Sequence, residues 1–219
     1  MDINKQAIQY MKEHKYEEAA KLFNEMIEKD PSNPTGFINF GNLLVHLNEY
    51  DKAERFFNKA IELDAKATAA YYSLGNLYFE QNLYVKAQEN FQDAIKLGAE
   101  DADVYYMLGL TFQKQGQFKL SLPYLLRATE LNHEDEEILF QYGLSLAQIG
   151  QIKEAQDVFN KVITKNKEHA DAYYNLGVIE AYYENHDRAL SYFEKALSIQ
   201  PDHVLAANGK NNIEGLLKQ

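Results

Sequence analysis

The sequence contains no cysteine, which excludes a disulfide framework, thiol catalysis and cysteine-type zinc sites together. No apolar run approaches the length of a membrane span, and the opening MDINKQAIQYMKEH lacks the apolar stretch of a signal peptide. Basic residues are scarce beside acidic ones: 22 Lys and Arg against 33 Asp and Glu, a formal charge of −11. A field of that sign disfavours a nucleic-acid backbone or an anionic membrane as the main partner. The expectation is a protein with no membrane insertion, cytoplasmic rather than secreted. Catalytic and metal-binding patterns are missing too. The histidines include no i, i+4 pair and no HExxH, and Gly209-Lys210 has no glycine loop before it to cradle a phosphate. Carboxylates abound without a nucleophile–base pattern. Neither enzyme activity, metal nor cofactor is expected.

What the sequence does have is a period. Its 219 residues, 46% of them hydrophobic, suffice for a sizeable core. Gly41, Gly75, Gly109, Gly143 and Gly177 stand 34 residues apart, with no insertion between them. Twelve residues after each comes Ala53, Ala87, Ser121, Ala155 or Ala189, and sixteen after each comes Phe57, Phe91, Leu125, Phe159 or Phe193. Three further on lie Ala60, Ala94, Ala128, Val162 and Ala196, and four before each glycine lies Phe37, Tyr71, Tyr105, Leu139 or Tyr173. Within a unit, Tyr71, Leu74, Gly75 and Tyr78 fall at helical spacing, followed by a second stripe of Tyr84, Ala87, Phe91 and Ala94. Each unit therefore reads as two antiparallel helices joined by a short turn. A glycine inside a helix costs roughly 1 kcal/mol against alanine. Its regular recurrence predicts close helix–helix approach, glycine of the first helix against Ala or Ser of the second.

A large aromatic, Leu-Gly, then Ala, Phe and Ala in this register resembles the tetratricopeptide repeat (TPR) over nearly the whole chain, most closely the stand-alone bacterial proteins of that family. The resemblance implies an all-α, right-handed superhelical solenoid of antiparallel helix pairs, closed by a C-terminal capping helix. Six units are expected, at 1–33 (degenerate, with Ala7 in the glycine column), 34–67, 68–101, 102–135, 136–169 and 170–203. Residues 204–219 carry Lys210, Asn211 and Glu214 where the stripe would be apolar, as a solvating helix requires. Pro123 falls inside a second helix, where a bend or local distortion is expected.

In this family the first helices line the concave side. Tyr71, Tyr105 and Tyr173 would then fill the core, and the next residue in each unit would point into the groove. The peptide-binding groove implied by the resemblance comprises Ile38, Asn39, Asn42, Tyr72, Asn76, Phe79, Tyr106, Leu110, Phe140, Leu144, Tyr174, Asn175, Val178 and Tyr182. The aromatics either dock apolar side chains of a ligand or contact a neighbouring helix. Groove amides both donate and accept, so they suit an extended backbone. The basic clamp with which chaperone-binding TPR proteins hold a terminal carboxylate has no counterpart here, where Ile38, Tyr72, Ser73, Ala69, Asp103 and Met107 stand. A chaperone tail is therefore not the expected ligand. Asp103, Glu137 and Asp171 either form an acidic rail for a basic partner or serve the starts of their own helices. Glu180 and His186 replace apolar residues at facing positions, which predicts a contact between them. The function these features imply is a non-catalytic interaction scaffold that binds peptide segments or helices. A peptide-sensing regulator and the substrate-recruiting subunit of an enzyme complex are the alternatives.

Overall fold

A computed structural model describes residues 2–218. Among these the chain forms thirteen helices and no strand. They are α1 (Ile3–Lys12), α2 (Tyr16–Lys29), α3 (Pro34–His46), α4 (Tyr50–Leu63), α5 (Thr68–Glu80), α6 (Tyr84–Lys96) and α7 (Ala102–Lys114). There follow α8 (Phe118–Leu131), α9 (Glu136–Gln148), α10 (Ile152–Lys165), α11 (Ala170–Tyr182), α12 (His186–Ile199) and α13 (Val204–Leu217). Contacts group the chain into two compact units, residues 1–111 and 112–219. None of the helices is long and apolar enough to cross a membrane.

Every odd-numbered helix from α1 to α11 ends in the same way. The residue two past its C-terminus is left-handed: His14, Asn48, Asn82, Gly116, Gly150 and Glu184, with φ between 58° and 81°. The next amide bonds back across the turn, as in Lys15 N–H to the Tyr10 carbonyl (2.8 Å) and Asn185 N–H to the Glu180 carbonyl (2.9 Å). This is the capping geometry that satisfies orphan carbonyls and reverses the chain within three residues. A second 34-residue column is thus written in backbone conformation rather than in side-chain type.

In residues 1–111 the pairs α1–α2, α3–α4 and α5–α6 pack in chain order. Their cores are the fully buried Phe23, Phe57 and Phe91 with Ala19, Ala53 and Ala87. The recurring glycine has a different neighbour from the one expected. A Cβ on Gly41 would lie 2.5 Å from Phe57 Cε1, and one on Gly75 would overlap the Phe91 ring in the same way. The glycine makes room for the aromatic ring of its partner helix, not for its Ala or Ser. Burying such a ring is worth roughly 1.5–3 kcal/mol, which offsets the helical cost of glycine.

Residues 112–219 repeat the scheme with Phe159 against Gly143 and with Phe193 between Gly177 and Gly209. Helix α8 runs as one helix through Pro123. This unit also buries a polar network: Gln113 Nε2 donates to Ser145 Oγ (2.8 Å) and to the Gln141 carbonyl (2.9 Å), while Ser145 shares a 2.7 Å hydrogen bond with Ser121. The expected Glu180–His186 contact is not formed. Glu180 is buried at 3% exposure, and its two carboxylate oxygens accept from Gln156 Nε2 and Asn185 Nδ2, both at 2.8 Å. With two amide donors the buried carboxylate is satisfied without a counter-ion. In α13, Lys210 pairs with Glu194 of α12 (2.9 Å).

Candidate functional site

In residues 1–111 the first helices of successive pairs enclose a hollow of about 580 Å³. Its walls carry Asn39, Asn42, Ser73 and Asn76, above a floor that includes Met11 and Leu77. Neither lysine nor arginine is among the lining residues, and Glu80 is the one carboxylate there. Asn39 Nδ2 donates to Asn4 Oδ1 (2.6 Å), whereas the Asn42 side chain makes no hydrogen bond among the described residues. The Asn76 side-chain oxygen is buried without a hydrogen-bond partner among the described residues. Chemically, the hollow offers carboxamide donors and acceptors beside the apolar Ile8, Met11 and Leu77, with His46 and Glu80 also on its lining.

The residue after each core aromatic does not project freely. Ile38 (9% exposed) and Phe140 (6%) are buried, so these two expected groove anchors are core residues. Tyr72 and Tyr174 are half-buried, their rings 5.9 Å from Phe91 and 6.0 Å from Phe193. Nor do Tyr71, Tyr105 and Tyr173 fill the core completely, since each is half-buried as well. In the last pair both tyrosines meet rings of α12, Tyr173 with Tyr192 at 6.3 Å and Tyr174 with Phe193. Phe79 turns towards α6, where it meets Tyr84 edge-on at 5.5 Å. Leu144 packs on the core of its unit, and Asn175 donates to the Asp171 carbonyl (2.8 Å). Tyr106 and Leu110 are half-buried. Val178 and Tyr182 are open to solvent, at 42% and 70% exposure.

Two histidines missed in the sequence complete this picture. His203 caps α13: its Nδ1 accepts from the Ala206 amide (3.2 Å), which leaves the proton on Nε2 to donate to Asp171 Oδ1 (3.1 Å). The imidazole lies 5.2 Å from the Tyr174 ring. His169 repeats the arrangement on α11, accepting from the Ala172 amide (3.2 Å), 4.5 Å from the Phe140 ring and 4.0 Å from a Glu137 oxygen. Two members of the expected acidic rail, Glu137 and Asp171, thus face histidines that cap the first helix of the next pair or, for Asp171, α13. A 29-residue spacing from aromatic to histidine, seen twice, was the available signal.

Around Tyr72 the same place is open. A cavity of about 160 Å³ is bounded by Thr68, Ala69 and Tyr72 on α5 and by Ala99, Asp101, Asp103 and Val104 before and within α7. Burial pushes the Tyr72 hydroxyl above its ordinary pKa, and the carboxylates of Asp103 and Asp101 add to this.

Family models of the tetratricopeptide repeat match residues 10–77, 102–135, 137–169 and 170–203, and a model described as TPR repeat matches 75–116. Among solved structures the chain is similar to YrrB, a TPR protein with an unusual peptide-binding site: 45% identity, 88% of this chain and 99% of that one covered, TM-score 0.81. It shares its fold with PilF of Pseudomonas aeruginosa (17% identity, 96% of both chains, TM-score 0.83). It does so also with MamA (23% identity, 78% of this chain and 93% of that one, TM-score 0.72). No curated protein sequence matches it.

Proposed function

Because the chain belongs to the tetratricopeptide repeat family, we propose that it is a non-catalytic, cytoplasmic bacterial scaffold that captures extended peptide segments on the faces of its first helices. The observation that carries this reading is the hollow of residues 1–111, which is lined by the carboxamides of Asn39, Asn42 and Asn76 together with the apolar Met11 and Leu77. An extended strand presents N–H and C=O groups alternately, and carboxamides answer both. The similarity to YrrB, itself a peptide-binding protein, supports the same conclusion. On residues 112–219 the corresponding face offers Leu144, Val178 and Tyr182, which suit apolar side chains of the same ligand class.

The test uses twelve-residue peptides selected from a random phage-displayed library on the intact chain, then measured by calorimetry. Asn42→Ala with Asn76→Ala is expected to weaken selected peptides by about tenfold or more, equivalent to about 1.4 kcal/mol. Unchanged affinity in that variant contradicts the assignment of the hollow.

A further inference from the structure

The molecule contains one kind of joint in filled and open versions. In residues 112–219, Phe140 and Tyr174 each carry an imidazole supplied 29 residues later by His169 and His203. The second of these also bonds to Asp171. Counting 29 residues from Tyr72 leads to Asp101, and Ala69 stands where Asp171 does. A short carboxylate and a methyl group cannot fill the volume of an imidazole and its partner, and the 160 Å³ cavity is the remainder. Its floor is apolar, with Ala99 and Val104 buried at 7% and 4% exposure. Its mouth carries the exposed Asp101 and Asp103.

We propose that this slot receives the guanidinium group of an arginine from a bound peptide, in the position where the chain elsewhere inserts its own imidazole. Guanidinium is flat like imidazole and lies against a tyrosine face, as His203 lies near Tyr174. Its fork of donors suits the carboxylates of Asp101 and Asp103. Lysine is less suited, because its ammonium is a strongly hydrated point charge that gains little from the ring. The chain's net charge of −11 attracts such a side chain at long range. The inference rests on the reading of the neighbouring hollow as a peptide site: Asn76, which lines that hollow, stands one turn along α5 from Tyr72, which lines the slot, so the slot opens beside the hollow.

The experiment titrates N-acetylarginine amide into the intact, isotope-labelled chain and follows backbone amides by NMR. Saturable shifts confined to residues 68–72 and 99–104 are expected. The citrulline analogue, equal in shape but neutral, should bind about tenfold more weakly or worse, and the lysine analogue more weakly than arginine. A graft, Ala69→Asp with Asp101→His, rebuilds the filled joint and should abolish the shifts while its unfolding midpoint shows an intact fold. Asn42→Ala should leave them unchanged. The inference is overturned if the graft binds arginine as the parent does, if citrulline or lysine equals arginine, or if the shifts spread evenly over other carboxylates such as Glu137. Selected peptides that bind through Asn42 while arginine amide fails would remove the slot and leave the hollow standing. Arginine binding with peptides insensitive to Asn42 and Asn76 would do the reverse.

Discussion

The residue following the recurring glycine is an amide at Asn42 and Asn76, which line the hollow of residues 1–111, and apolar further along the chain, at Leu110, Leu144 and Val178. Next to it, the aromatic of the first half borders an open slot at Tyr72, whereas Phe140 and Tyr174 in the second half are covered by histidines. The interiors do not differ in this way. Phe57 and Phe91 on one side, and Phe159 and Phe193 on the other, are all buried to 2% exposure or less against a glycine. One packing rule therefore supports two surfaces. The columns that hold the helices together stay constant, while the columns facing outward set what each half recognises.

The largest expected effects probe the constant part. Phe91→Ala and Phe159→Ala should each destabilise their half by about 3–5 kcal/mol, read as a shift in urea unfolding. A much smaller loss in one of them would show that the two interiors are not equivalent. Next comes a feature of the second half alone. Glu180→Ala leaves the Gln156 and Asn185 amides without their acceptor and should cost about 1–3 kcal/mol. A neutral outcome would mean that water replaces the carboxylate at no cost. The filled joint is third: His203→Ala removes a helix cap and should lose about 0.5–2 kcal/mol, whereas His203→Asn keeps a capping acceptor and should lose less. Equal losses would assign the stabilisation to ring packing. The smallest effect concerns the turns. Glu184 is left-handed at φ 60°, where Gly150 occupies the corresponding turn at φ 81°. Glu184→Gly should raise stability by roughly 1 kcal/mol and Gly150→Ala lower it by a similar amount, measured in the same unfolding assay.

The fold was legible because its causes recur. A glycine that accommodates a phenyl ring and an alanine that lets two helices approach are enforced by sterics in each pair, so they show as columns at 34 residues. The partner of the glycine was misread, since sequence gives the spacing of Gly75 and Phe91 but not the direction in which the ring lies. The site was less legible for a related reason. Ile38 and Phe140 share a column with Tyr72 and Tyr174, yet burial at that column depends on what the start of the next pair supplies: His169 over Phe140, an empty space beside Tyr72. Glu180 misled similarly, because its partners come from the preceding helix and from the turn, not from His186 across the pair.

The central claim is that the hollow of residues 1–111 grips the main chain of its ligand. Calorimetry on a selected peptide and on versions N-methylated at successive central residues tests it most directly. N-methylation removes one backbone donor at a time and should weaken binding about tenfold or more at two or more positions, while alanine replacement of the same side chains, arginine apart, costs less. If N-methylation is tolerated throughout and the alanine replacements abolish binding, the hollow reads side chains and the claim is contradicted.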